Sequence, residues 1–214
     1  MAFVFNRADH SYWLDGRRLL GVTDVLRATG VADFSGYPIA TRAYYLSRGS
    51  AVAAALCQIV KGTFDRDYLN DVDFGGFIRA GENFLVQSKC KVLVVEEPLY
   101  EPDLGYAGTE DLIIEWRGKL WVPDYKCNKA QKATQIQTAA YKRAIRSLGW
   151  TIGYVHAEEE HERMAIELYE DGAFKPRFYD GLENFEDEQI WLSCLAIAGW
   201  QMKSNGRLTL PDAA

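Results

Sequence analysis

A chain of 214 residues, 48% of them apolar and 13% aromatic, has material for one well-buried domain over 1–214 and too little for two of ordinary size. The formal charge of −6 argues against a uniformly basic nucleic-acid binder. No apolar run approaches the ~20 residues that span a bilayer, and "MAFVFNRADHSYW" has no basic-then-apolar leader, so neither a membrane location nor a secretory signal is expected. Cys57, Cys90, Cys127 and Cys194 form no CxxC, which leaves no spacing for a zinc or iron–sulphur site and fits reduced thiols in the cytosol.

In chain order, "FVFNRADHSYWLDGRRLLGVTDVL" reads as short strands with turns at Ala8–Asp9 and Asp15–Gly16, with Thr23 or Asp24 placed to cap a short helix. Helical patterns cover about 38–60 and 74–88. Three strand-like runs follow, "KVLVVEEPLY", "YAGTEDLIIEW" and "KLWVPDYK". The Ala, Gln and Lys content from about Ala130 to Leu148 favours a helix. Two more strands, "TIGYVHAE" and "ERMAIELYE", precede a closing helix near Glu186–Lys203. This order predicts an α/β fold, a central mixed β-sheet flanked by helices.

Charge is unevenly placed along the chain. Seven bases (Lys119, Lys126, Lys129, Lys132, Lys142, Arg143, Arg146) face one acid, Asp124, between Lys119 and Gly149. Twelve acids face three bases between His156 and Ile190. Screening over ~10 Å makes phosphate attraction local, so the basic stretch can bind nucleic acid whatever the total charge.

The run 108–130, "GTEDLIIEWRGKLWVPDYKCNKA", carries the chemistry. With Arg117–Gly118 as a hairpin tip, Trp116 faces Lys119, and the same register sets Asp111 opposite Asp124. Cross-strand partners lie ~4.5–5.5 Å apart, where like charges destabilise a sheet. Such a pair calls for a cation between the acids or a proton on one of them. Period-2 alternation puts Lys126 on the face of Asp124, ~7 Å along. Two carboxylates and an ammonium suit phosphodiester hydrolysis. A carboxylate-bound Mg2+ lowers the pKa of a water and stabilises charge growing on phosphate, while the lysine holds a phosphate oxygen or orients the water. Burial near a metal is expected to lower the lysine's own pKa.

"GYAGTEDLIIEWRGKLWVPDYK" resembles the core of the PD-(D/E)XK nuclease superfamily, in its RecB-like, phage exonuclease branch. The resemblance implies a restriction-endonuclease-like core in which Asp111 and Asp124 bind Mg2+ or Mn2+ and Lys126 is catalytic. "QTAAY" resembles the branch's QxxxY motif, placing Gln137 and Tyr141 one helical turn apart. The acid in "VEEPLY" resembles a further metal ligand. Glu96 is assigned to it, since Glu97 points to the opposite face of a regular strand. "HSYWLDGRRLLGVTDVL" is similar to the leader of phage members. The branch's RGxxxH appears here as "RGSAVA": Arg48 and Gly49 remain, but Ala53 stands where a histidine ligand is expected. His156 and His161 read as exposed residues of an acidic stretch, and Cys127 as a small packed residue.

Three functions follow. The first is a metal-dependent DNA exonuclease of phage or prophage type, working in the bacterial cytoplasm with a recombination or replication partner. Its nucleic acid, single- or double-stranded, would lie along the helix after DYK against Lys129, Lys132, Arg143 and Arg146, with Arg48 also in contact. The second is a degenerate nuclease fold that binds DNA or protein without cutting, which Ala53 supports. The third is an interaction protein whose acidic second half meets a partner. Strand polarity and oligomeric state stay open.

Overall fold

Tight turns set the first strands. Asp15 and Gly16 both take positive φ (48° and 79°), as a two-residue hairpin turn requires. They join β2 (Ser11–Leu14) to β3 (Arg17–Arg18), and β1 (Phe3–Asn6) pairs antiparallel with β2. The computed structural model describes residues 2–33, 38–148, 160–206 and 208. The strand expected at 151–158, with His156, lies outside them.

Next come β4 (Leu20–Gly21) and α1 (Val22–Ala28). Thr23 and Asp24, expected as caps, instead lie inside the first turn of α1, and Gly21 precedes the helix without a side-chain cap. The physical reason is that Leu20 and Gly21 are extended in the sheet while Val22 is already in the core, which fixes the helix start between them. Asp24 still complements the positive end of the helix.

The remaining elements are α2 (Ile39–Lys61), a 3-10 turn at Arg66–Asn70, α3 (Gly75–Ser88), β5 (Lys91–Glu101), β6 (Tyr106–Trp116), β7 (Lys119–Cys127), α4 (Lys132–Leu148), β8 (His161–Leu168), β9 (Phe174–Tyr179) and α5 (Leu182–Asn205). The α/β expectation is met by a six-stranded mixed sheet. β5 pairs antiparallel with β6 along most of its length. A strand has two edges, so β4 and β7 share the other edge of β6, β4 parallel at its start and β7 antiparallel at its end. β8 then runs parallel to β7, and β9 antiparallel to β8. β9 is not legible as a strand in the sequence because Pro176 interrupts it. As an edge strand it tolerates the missing N–H.

Two apolar layers cover the sheet. On one face Val22, Val25 and Leu26 of α1, Ile136, Ala140 and Ile145 of α4, and Trp191 and Leu195 of α5 pack on Val94, Ile113 and Val122. On the other, Val52 and Leu56 of α2 and Phe77 and Phe84 of α3 pack on Leu112, Ile114, Tyr125 and Met164. Buried Arg163 ties β8 to two helices: it donates to Gln135 O of α4 at 2.6 Å and to Asn184 Oδ1 of α5 at 2.7 Å, and pairs with Asp187 at 2.8 Å. Among the described residues no helix is long and apolar enough to cross a membrane.

Candidate active site

The hairpin tip forms as its sequence predicts. Arg117 (φ 54°) and Gly118 (φ 70°) make the turn, and Trp116 pairs with Lys119, Glu115 with Leu120, and Ile114 with Trp121. The pairing does not continue to Asp111 and Asp124, which corrects the extrapolated register. Alternation in an antiparallel ladder makes Trp121, Pro123 and Tyr125 the residues of β7 whose backbone faces β6. Pro123 has no N–H to give, and the ladder ends before it. The next β6-facing donor, the N–H of Tyr125, is taken by the Asp111 carboxylate, with Oδ2 at 2.6 Å. A proline in the strand therefore opens the edge of β6 between β4 and β7 and lets an acid side chain occupy the gap.

Into this gap the structure brings four further predicted residues. Asp124 is buried, and its carboxylate is ion-paired with the Lys126 ammonium. Lys126 Nζ also donates to Gln137 Oε1 at 3.3 Å, and Gln137 Nε2 donates to the Tyr141 hydroxyl at 3.0 Å. The chain Asp124–Lys126–Gln137–Tyr141 thus joins β7 to α4. Gly108 makes room for it: a Cβ there would stand 2.6 Å from the Tyr141 ring.

The charges are not balanced. Burial first, and the Asp124 charge second, push the Asp111 carboxyl well above the usual aspartate range, with Lys126 pulling the other way. Burial likewise raises Asp124 against the pull of Lys126. For Lys126, burial works to lower the pKa, but Asp124 and Asp111 outweigh it and hold the ammonium above its ordinary value. The two acids beside it are the physical reason, whereas the lowering expected above is that of a lysine next to a bound metal ion.

Glu96 breaks the regularity of its strand. Its φ is 51°, and it lies between the paired Val95–Leu112 and Glu97–Glu110, level with Asp111. Burial raises its carboxyl, Lys61 and Arg7 lower it, and Asp124 raises it. Glu97 is exposed. Among the described residues no three His, Cys, Asp or Glu side chains gather as a metal site, so Glu96 does not close with Asp111 and Asp124 into the expected three-acid set. The two-aspartate pair nevertheless has the hard oxygen donors that Mg2+ or Mn2+ takes, and Mg2+ is commonly held by one or two carboxylates with water for the rest.

The basic residues separate into two groups. Lys129 and Lys132 are exposed where the chain enters α4. Arg143 and Arg146 turn toward α5, where both approach Glu188, at 2.5 Å and 4.0 Å. Arg48 is buried, its guanidinium over the rings of Phe77 (4.5 Å), Tyr45 (5.0 Å) and Tyr44 (5.5 Å). α2 packs against β5 and β7, with Ala53 half-buried. His161, expected at the surface, is fully buried because β8 begins there, paired with Leu120. Cys127 is half-buried against the second apolar layer, in keeping with a packed residue.

Three residues near the site have no signal in the sequence. Lys61 and Arg7 supply positive charge toward Glu96 from the end of α2 and from the loop after β1. Buried Glu167, opposite Lys126 on β8, accepts from Ala130 N at 3.0 Å and Tyr169 OH at 2.8 Å, fixing the chain where it leaves β7 for α4. A cavity of about 420 Å³ lies at the hairpin tip, lined by Gln87, Lys89, Lys91, Glu115 and Arg117, away from the acids. Comparison of the chain with protein-family models and with curated proteins finds no match, so the geometry of the site carries the functional reading.

Proposed function

We propose that the chain is a metal-dependent nuclease of the PD-(D/E)XK type, hydrolysing DNA phosphodiesters as an exonuclease in phage recombination or replication. The observation that carries this reading is the excess of acid beside a tethered lysine: half-buried Asp111 and buried Asp124 against the single ammonium of Lys126. Two carboxylates held together at one opening, one buried and one half-buried, cost stability unless a cation neutralises them.

Asp111 and Asp124 are the residues that would hold Mg2+ or Mn2+, which when bound supplies a Lewis acid for phosphate and a more acidic water. The chain's own groups do the positioning. The Tyr125 N–H fixes the Asp111 carboxylate. Asp124 and Gln137 hold the Lys126 ammonium, which has a third donor left for a phosphate oxygen. Tyr141 fixes Gln137. Lys129 and Lys132 contact the flanking phosphates.

The test is incubation with end-labelled linear and circular DNA in Mg2+, Mn2+ or EDTA, beside Asp124→Asn. Metal-dependent loss of label from linear DNA, absent in the variant, is the expected result. Cleavage that persists in EDTA or in Asp124→Asn would overturn the assignment. A second reading, a fold that binds DNA without cutting, is favoured by the lack of a third clustered ligand among the described residues and by Ala53 at the histidine position. It predicts salt-dependent DNA binding with no cleavage. If Ala53→His then restores cutting, the missing imidazole is the cause.

A further inference from the structure

The cavity of about 420 Å³ at the tip of the β6–β7 hairpin is set apart from the acids by most of β7. Gly118 at the tip and Asp124 are six positions apart, ~20 Å at ~3.3 Å per residue. The charge around the cavity is one-sided. Lys89, Lys91 and Arg117 line it, all exposed, and Glu115 is the single acid among the described residues that does so. Glu115 reaches Lys91 at 4.0 Å, which leaves Lys89 and Arg117 without an ion pair among the described residues.

Both of these cations stand where the backbone disfavours them. Lys89 (φ 52°) ends α3 and Arg117 (φ 54°) opens the hairpin turn, in the left-handed region that glycine and asparagine enter most readily. A lysine still suits the negative end of α3. The turn itself gains nothing from arginine, because two positive φ angles in succession favour Asn-Gly or Asp-Gly. What arginine adds is a flat cation in a fixed place. Its guanidinium lies 4.3 Å from the Trp116 ring, and that indole is itself held, donating to Ser88 O at 3.0 Å and meeting Phe84 edge-on. Since Arg117 is exposed, the guanidinium keeps an outer face for a second ring.

We propose that this cavity binds a nucleotide, its phosphate against Lys89 and Lys91 and its base stacked on the guanidinium of Arg117. A nucleotide supplies both an anion for the ammonium groups and a π-face for the arginine plane. The volume falls within the ~300–1,000 Å³ of small-ligand sites. The site is separate from Asp111 and Asp124 and does not require that they hold a metal.

Calorimetric titration of the full chain in EDTA with dAMP, inorganic phosphate and oligo(dT) of about 12 nucleotides tests this. The wild type should bind dAMP about 10-fold more tightly than inorganic phosphate. Lys89→Gly and Arg117→Asn both suit the left-handed backbone, so neither should lower the unfolding midpoint. Together they should weaken dAMP binding at least ~10-fold. A wild type that binds no dAMP, or a double variant that binds it equally well, would overturn the proposal. Inorganic phosphate held as tightly as dAMP would overturn the stacked base. The source of the nucleotide is read from oligo(dT): a salt slope reduced by about one unit in the double variant places a unit of a DNA strand in the cavity, and an unchanged slope with dAMP binding lost assigns it to free nucleotide.

Discussion

Arg163 and Lys126 are both basic side chains held against buried aspartates, and their surroundings differ in a way that separates structure from chemistry. Arg163 faces a single acid, Asp187, and its nitrogens also reach Asn184 Oδ1, Gln135 O and Thr138 Oγ1, with the Tyr179 ring 5.7 Å from the guanidinium. One charge meets one charge, and the hydrogen bonds complete the fork. Lys126 faces two acids, and Gln137 alone is added to them. Its cluster keeps an excess of negative charge and an unfilled donor. A balanced, saturated ion pair holds β8, α4 and α5 together. An unbalanced one at an open strand edge has capacity for a ligand.

Several substitutions sharpen or break this contrast. The largest effect is expected for Asp187→Ala, which strands a buried guanidinium and should cost about 3–5 kcal/mol in urea unfolding. Asp111→Asn in metal-free buffer should cost nothing or stabilise, because it removes one of two like charges. A loss in Asp111→Asn as large as in Asp187→Ala would show the two clusters to be alike.

Next in size is Gln137→Ala. Releasing the lysine should cut cleavage 10- to 100-fold, as loss of a supporting partner does at metal sites, with little change in unfolding. Asn184→Ala should do the reverse, costing on the order of 1 kcal/mol of stability and leaving cleavage alone.

The smallest effect concerns pH. Asp111 and Asp124 have folded-state pKa values above the ordinary 3.8. Between the two values the folded chain binds more protons than the unfolded one. Their contribution to stability is therefore full below about 3.8 and is lost as pH rises through the folded values. In EDTA, the melting temperature of the wild type should fall relative to Asp111→Asn as pH rises from 4 to 8, on the order of a few degrees. Mn2+ at pH 8 should recover it in the wild type alone. Parallel curves for the two proteins would remove the acid pair as the source.

Local chemistry is what the sequence makes legible. The Arg117–Gly118 turn gives the register of the tip, alternation puts Lys126 with Asp124, and the four-residue spacing brings Gln137 to Tyr141. What escapes it depends on distant or irregular backbone. Arg163 is buried because Asn184 and Asp187 arrive from α5, and Arg143 turns from the expected DNA face because Glu188 does. Extrapolating the register past Ile114 and Trp121 fails at Pro123, whose significance depends on which way its missing N–H would have pointed. The alternation assigned to Glu96 and Glu97 carries over, with Glu97 exposed and Glu96 interacting with Asp124, but the positive φ at Glu96 is not legible in the sequence.

The shortened ladder of β6 and β7 also sets an order of events during folding. The contacts that close first are those nearest the turn, where Trp116 meets Trp121 with ring centroids 5.8 Å apart and Arg117 lies 4.3 Å from the Trp116 ring. Zippering from the tip runs outward through Trp116–Lys119, Glu115–Leu120 and Ile114–Trp121 and halts before the acids. Asp111 and Asp124 lie beyond the paired tip, so Asp111→Asn should change the rate of unfolding more than the rate of folding.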